Sequence, residues 1–161
     1  MGSKTGHKAL AAWAVYCAER VLPYFEKEHP KDDRPRKAIE ALRKWMRTGI
    51  FKMADIRKAS LDAHAAARDV GEDNAARFAA RAAGQAAATP HVRQHAYGAA
   101  IYALKAVAAA YPLHAEAEVA KERSRQSRCL PASLRRDVMD RIVVLRSGRR
   151  ILVRLRKGEG Y

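Results

Sequence analysis

Two histidines, His91 and His95, stand four residues apart in the stretch HVRQH, and a third, His64, lies upstream. On a helix, a spacing of four sets two imidazoles on one face, where they can share a transition metal. A zinc site would need a third ligand, drawn from His64, Asp62 or Glu72. The stretch lacks the glutamate of the H-E-x-x-H hydrolase motif, because Val92 occupies that place. The competing reading is that the imidazoles are buried, bond to neighbouring helices and replace bulk in a core of small residues. Spacing alone is a weak signal for a metal, so this second reading is preferred to a metal site or a partner contact, and no metal, cofactor or catalytic residue is expected. His64, His91 and His95 are the candidates if a metal is held.

Other reactive types offer less. KDDRPRK (Lys31 to Lys37) holds an acidic pair, which helix capping and Asp–Arg pairing explain without chemistry. Cys17 sits between Tyr16 and Ala18 inside an apolar pattern, and Cys129 precedes Leu130-Pro131. Two cysteines make no disulfide framework and suit a reducing, cytoplasmic setting. The chain contains no G-x-S-x-G, no phosphate-binding P-loop and no G-x-G-x-x-G.

The elements that must position these residues are helices. The 161 residues include 34 alanines, and aromatics are only 7%. Such a chain makes one domain, rich in strong helix formers and poor in large core residues. The periodicity predicts an all-α bundle of six or seven helices. Helix one runs from His7 to Phe25, buries Leu10, Trp13, Ala14, Cys17 and Val21, and is kinked or ended by Pro23. Helix two covers Pro35 to Arg47 and stops at Gly49; helix three covers Met53 to Val70 and stops at Gly71. Helix four runs from Asn74 to Ala88. Thr89-Pro90 reads as a cap followed by a first-turn proline, starting helix five and carrying it to Ala110. Helix six covers Leu113 to Arg128, and Pro131 opens a last helix through Asp140. Alanine faces with Gly84 and Gly98 predict unusually close packing of helices three, four and five, covered by Trp13, Phe25, Ile39, Leu42 and Trp45.

No stretch is long and apolar enough to span a membrane. ALAAWAVYCA after Lys4 and Lys8 mimics a signal peptide, but its pattern continues as an amphipathic helix.

The chain changes character after residue 140. RIVVLRSGRRILVRLRKG sets two β-branched runs about Ser147-Gly148, which predicts a hairpin in preference to a continued helix. The expected organisation is a bundle over 1–140 and a basic extension over 141–161. A lone hairpin is marginal in water, so it must dock on the body, on a partner or on a second copy as a homo-oligomer. The net charge is +15, but residues 1–120 carry 19 Lys/Arg against 13 Asp/Glu, whereas residues 121–161 carry 13 against 4. Most of the excess sits in residues 121–161, and on the extension Arg146, Arg149, Arg150, Arg154, Arg156 and Lys157 are candidate nucleic-acid contacts.

The blocks HKALAAWAVYCAERVLPYFE, DDRPRKAIEALRKW, AHAAARD, AARAAGQAAAT and HVRQHAYGAAIYALKAV, in this order, resemble the all-helical Imm-5-like immunity-protein family of bacterial polymorphic toxin systems. The resemblance runs from about His7 to Arg136 and leaves the basic extension outside. It implies an all-α fold, no catalytic role, and another protein, a toxin, as partner. The polar members of the matching blocks are His64, His91, His95 and the segment Asp32 to Arg36; of these, Asp33, Arg34 and Arg36 are candidate partner contacts.

Three functions compete. A non-catalytic interaction module that blocks a partner protein fits the bundle and the resemblance. A blocker of a nuclease is usefully acidic, so a chain of charge +15 points to an acidic surface on its target. Nucleic-acid binding through the extension is the alternative, although the extension lacks aromatics for base stacking before its final residue. A metal-dependent hydrolase built on the three histidines is the third.

Overall fold

The structure, a computed structural model, describes residues 4–157. Seven helices precede one hairpin: α1 (Lys4–Glu28), α2 (Arg34–Thr48), α3 (Met53–Val70), α4 (Ala75–Ala88), α5 (His95–Ala110), α6 (Ala115–Arg128), α7 (Ala132–Met139), β1 (Ile142–Ser147) and β2 (Arg150–Leu155). The fold is the expected all-α bundle with a C-terminal hairpin. The last four residues of the basic extension lie outside the described residues.

α4 is the axis of the bundle. It packs against α1, α2, α3 and α5. Ala76, Ala79, Ala80, Ala82, Ala83, Gly84, Ala86 and Ala87 are all buried, so the helix is covered on most of its circumference. A helix buried on most sides must be apolar nearly all round, and methyl-sized side chains let its neighbours come close. α5 continues this texture with Ala96, Ala99, Ala100, Ala103 and Ala106. Bulk comes from the helices packed around α4, where Trp13, Phe25, Leu42 and Leu104 are fully buried. Trp45 is only partly buried and covers less than its sequence position suggests.

Polar ties fix the register. Trp13 Nε1 donates to the Gln126 carbonyl at 2.9 Å, and Gln126 Nε2 donates to the Ala100 carbonyl at 3.1 Å, joining α1, α6 and α5. Buried Glu122 accepts from Arg20 Nε at 2.5 Å and from Arg125 Nη1 at 3.1 Å.

Three boundaries differ from the sequence reading. α1 passes through Pro23, which is exposed, because buried Val21, Leu22 and Phe25 hold the helix against the body on either side of the lost backbone bond. Thr89 does not cap α5. It ends α4 with right-handed φ −58°, and its hydroxyl donates back to the Gln85 carbonyl at 3.4 Å. Tight turns carry the chain through Pro90 to Gln94, and α5 begins at His95. The hairpin turn is Gly148-Arg149, one residue beyond Ser147-Gly148, because Ser147 pairs with Arg150. Gly148 has φ +60° and Arg149 does not share the positive sign, the pattern of a two-residue II′ turn.

The hairpin docks on the body. Ile142 and Val153 are buried within the bundle's own apolar cluster, with Val144, Ile151 and Leu155 packed against it. Strand β2 lies against α5 and α6. Arg123 donates to the carbonyls of Met139 and Ile142, at 2.9 and 3.3 Å, clamping the entry to β1. No helix among the described residues is long and apolar enough to cross a membrane.

Candidate functional site

The three histidines do not share a helix face. His64 is on α3 and His95 opens α5, while His91 is exposed in the turn between α4 and α5. The His64 ring lies flat on the backbone of α4: a Cβ placed on Gly84 would stand 2.7 Å from its Nε2. Its Nδ1 is 2.9 Å from Arg81 Nη1. A guanidinium only donates, so Nδ1 accepts and the proton resides on Nε2. Burial, then the positive charges of Arg81 and Arg68, push the His64 pKa down to about 4.

His95 Nδ1 is 2.8 Å from Gln85 Oε1, an amide oxygen, so here the imidazole donates. Burial and then His91 lower the His95 pKa. The Gln85 side chain in turn occupies the space above Gly98, where a Cβ would come within 2.5 Å of Oε1. Each glycine therefore clears the seat of one polar side chain. Among the described residues no three His, Cys, Asp or Glu side chains are grouped to hold a metal. Asp62 is paired with Lys58, and Glu72 accepts from Asn74 Nδ2 at 3.2 Å. Burial also raises the Cys17 thiol well above its usual range, which makes it a poor nucleophile.

The segment DDRPR ties three helices together. Arg34 is forked onto Asp32, at 2.9 and 2.7 Å, and reaches Asp69 at the end of α3, at 2.8 Å. Arg36 makes a two-point contact with Glu26 of α1, at 2.7 and 2.5 Å. These partners hold the Asp32 and Glu26 carboxyls below the usual carboxylate range. Asp33 is exposed and pairs with Lys37 at 3.1 Å. Of the cationic candidates on the hairpin, Arg146 pairs with Glu116 at 3.3 Å. Arg149, Arg150, Arg154, Arg156 and Lys157 are exposed.

A surface that the sequence reading passed over lies at the α2–α3 connection. Ile50, Phe51, Met53 and Leu61 are exposed by 60, 44, 41 and 53%. They flank two shallow grooves that meet at Ile56. One, of about 360 Å³, is lined by Met53, Ile56, Arg57, Ser60, Leu61, Ala88 and His91. The other, of about 260 Å³, is lined by Ala41, Lys44, Trp45, Ile50, Lys52, Asp55 and Ile56. His91 thus lines this surface. Lys44, Lys52 and Arg57 stand exposed around it, with Asp55 the one acidic lining residue. The signal was present in GIFKM: three large apolar side chains in and beside a connector of four residues, where no core needs them.

No curated protein and no solved structure matches the chain. A family model does, over residues 2–133, and its description is "Imm-5 like putative immunity protein".

Proposed function

The chain belongs to the Imm-5 like immunity-protein family, and on that premise we propose that it acts by occupying a partner protein, a toxin, rather than by catalysing a reaction. The observation that carries this reading is the apolar ridge of Ile50, Phe51, Met53 and Leu61 beside its grooves. Covering that ridge removes apolar surface from water at about 25 cal/mol per Å², the usual source of affinity at a protein interface. Lys44, Lys52 and Arg57 around it favour an acidic rim on the partner. Arg34 and Arg36 are already engaged within the fold, at the end of α2 away from the ridge, so their part in this reading is to hold α1, α2 and α3 in register. Asp33 is left as a peripheral contact.

The test uses the wild type and a Phe51→Ser/Leu61→Ser variant as parallel baits in the native lysate. A partner retained by the first and lost by the second, at unchanged thermal stability, supports the reading. A partner retained equally by both removes the ridge from it.

A further inference from the structure

The hairpin carries charge that the fold does not use. From Arg141 to Lys157 there are seven cationic side chains and no acidic one. Arg141 lies 5.7 Å from the centre of the Tyr97 ring, and Arg146 pairs with Glu116. The other five, Arg149, Arg150, Arg154, Arg156 and Lys157, are exposed and make no ion pair among the described residues. In the body, Arg20, Arg34, Arg36 and Arg43 each hold a carboxylate of another segment, and Arg123 and Arg135 hold carbonyls. Asp137 and Asp140 stand near Arg156 and Lys157 at the base of the hairpin, so the uncompensated charge lies toward its tip.

The placement of that charge is regular. Ile151, Val153 and Leu155 turn toward the bundle, so Arg150, Leu152 and Arg154 turn away from it. Arg150 and Arg154 are four steps apart along the strand, roughly 13 Å, and Arg149 stands in the turn beyond. Leu152 pairs with Leu145 across the ribbon, between the two arginines, and both remain partly open at 47 and 39%.

We infer that this outward face binds double-stranded nucleic acid, its guanidiniums meeting backbone phosphates and its Leu145–Leu152 pair meeting the groove. A two-stranded ribbon fits a major groove about 12 Å wide, and thymine methyls there offer apolar contact. Single strands are disfavoured, because the face has no aromatic ring for a base to stack on. An acidic protein would answer the same charge, but a phosphate backbone presents it at regular intervals along a ribbon, and here Arg149, Arg150 and Arg154 flank the Leu145–Leu152 pair with no acidic residue on either strand.

The experiment is fluorescence anisotropy of the full chain with a labelled duplex of arbitrary sequence, of about 25 base pairs, between about 50 and 200 mM KCl. The expected slope of log K against log salt is about −3 to −4, close to one unit per phosphate met. Arg149→Ser/Arg150→Ser/Arg154→Ser reduces the slope by about 2–3, whereas Lys44→Ser/Lys52→Ser/Arg57→Ser, an equal loss of charge at the apolar ridge, leaves it unchanged. Three results overturn the inference: no binding at the lowest salt; equal losses in the two triple variants, which assigns binding to overall charge; or binding of poly-L-glutamate as tight as the duplex and equally sensitive to the hairpin variant, which assigns the face to an acidic protein. None of these outcomes bears on capture by the apolar ridge.

Discussion

Around α4, polar side chains are few and engaged: His64 with Arg81, Gln85 with His95, Ser60 Oγ with the Gly84 carbonyl at 2.9 Å. At the α2–α3 connection and on the hairpin, apolar and cationic side chains face solvent without a task in the fold. The contrast separates two uses of sequence. In the centre, small residues bring backbones together, and the few polar groups serve only to fill what remains. At the periphery, side chains that add nothing to packing persist, and that is where recognition belongs.

Breaking the centre gives the largest effects. Trp13→Ala empties a fully buried site and removes one of the donors to the Gln126 carbonyl, so unfolding by denaturant should show a loss of about 3–5 kcal/mol. Gly84→Ala drives a methyl into the His64 ring, with an expected loss of about 1–3 kcal/mol. The double variant Gly84→Ala/His64→Ala should recover part of that loss, because the two positions contend for one space. A purely additive double variant would show that the ring is not seated on Gly84.

A gentler perturbation is pH. The folded pKa of His64, about 4, lies below its unfolded value near 6.5, so the fold favours the neutral ring. Its contribution is complete above pH 6.5 and is lost as pH falls from there toward 4. Thermal melts should therefore soften over this window in the wild type and less in His64→Gln. The smallest effects on stability belong to the periphery. Phe51→Ser, Leu61→Ser, Arg150→Ser and Arg154→Ser should each stay within about 0.5 kcal/mol of the wild type, read from the same melts, while changing what the protein binds.

Much of the fold was legible in the sequence, and the misreadings share a cause. α3 was read with its observed bounds because a steady apolar stripe ends at a left-handed Gly71, and Gly49 marked the end of α2 in the same way. Thr89-Pro90 misled because a threonine hydroxyl can bond backward as well as forward, and only tertiary context decides: the Thr89 carbonyl lies 2.6 Å from His7 Nε2, which pins the end of α4. Pro23 misled because its local cost is outweighed by burial on either side. The candidate site was the least legible part. The histidine spacing suggested chemistry that the turn at residues 89–94 takes apart, whereas Ile50 and Phe51 carry no motif and are recognised only when their exposure is seen.

Nitrogen-15 spectra of the imidazoles across a pH titration test most directly the claim that the centre is chemically spent. His64 is expected as the neutral Nε2–H tautomer at pH 7, holding that state until well below pH 5 and unchanged when zinc is added. Titration of His64 near 6.5, or a shift of its signals together with those of His95 on adding zinc, would contradict it.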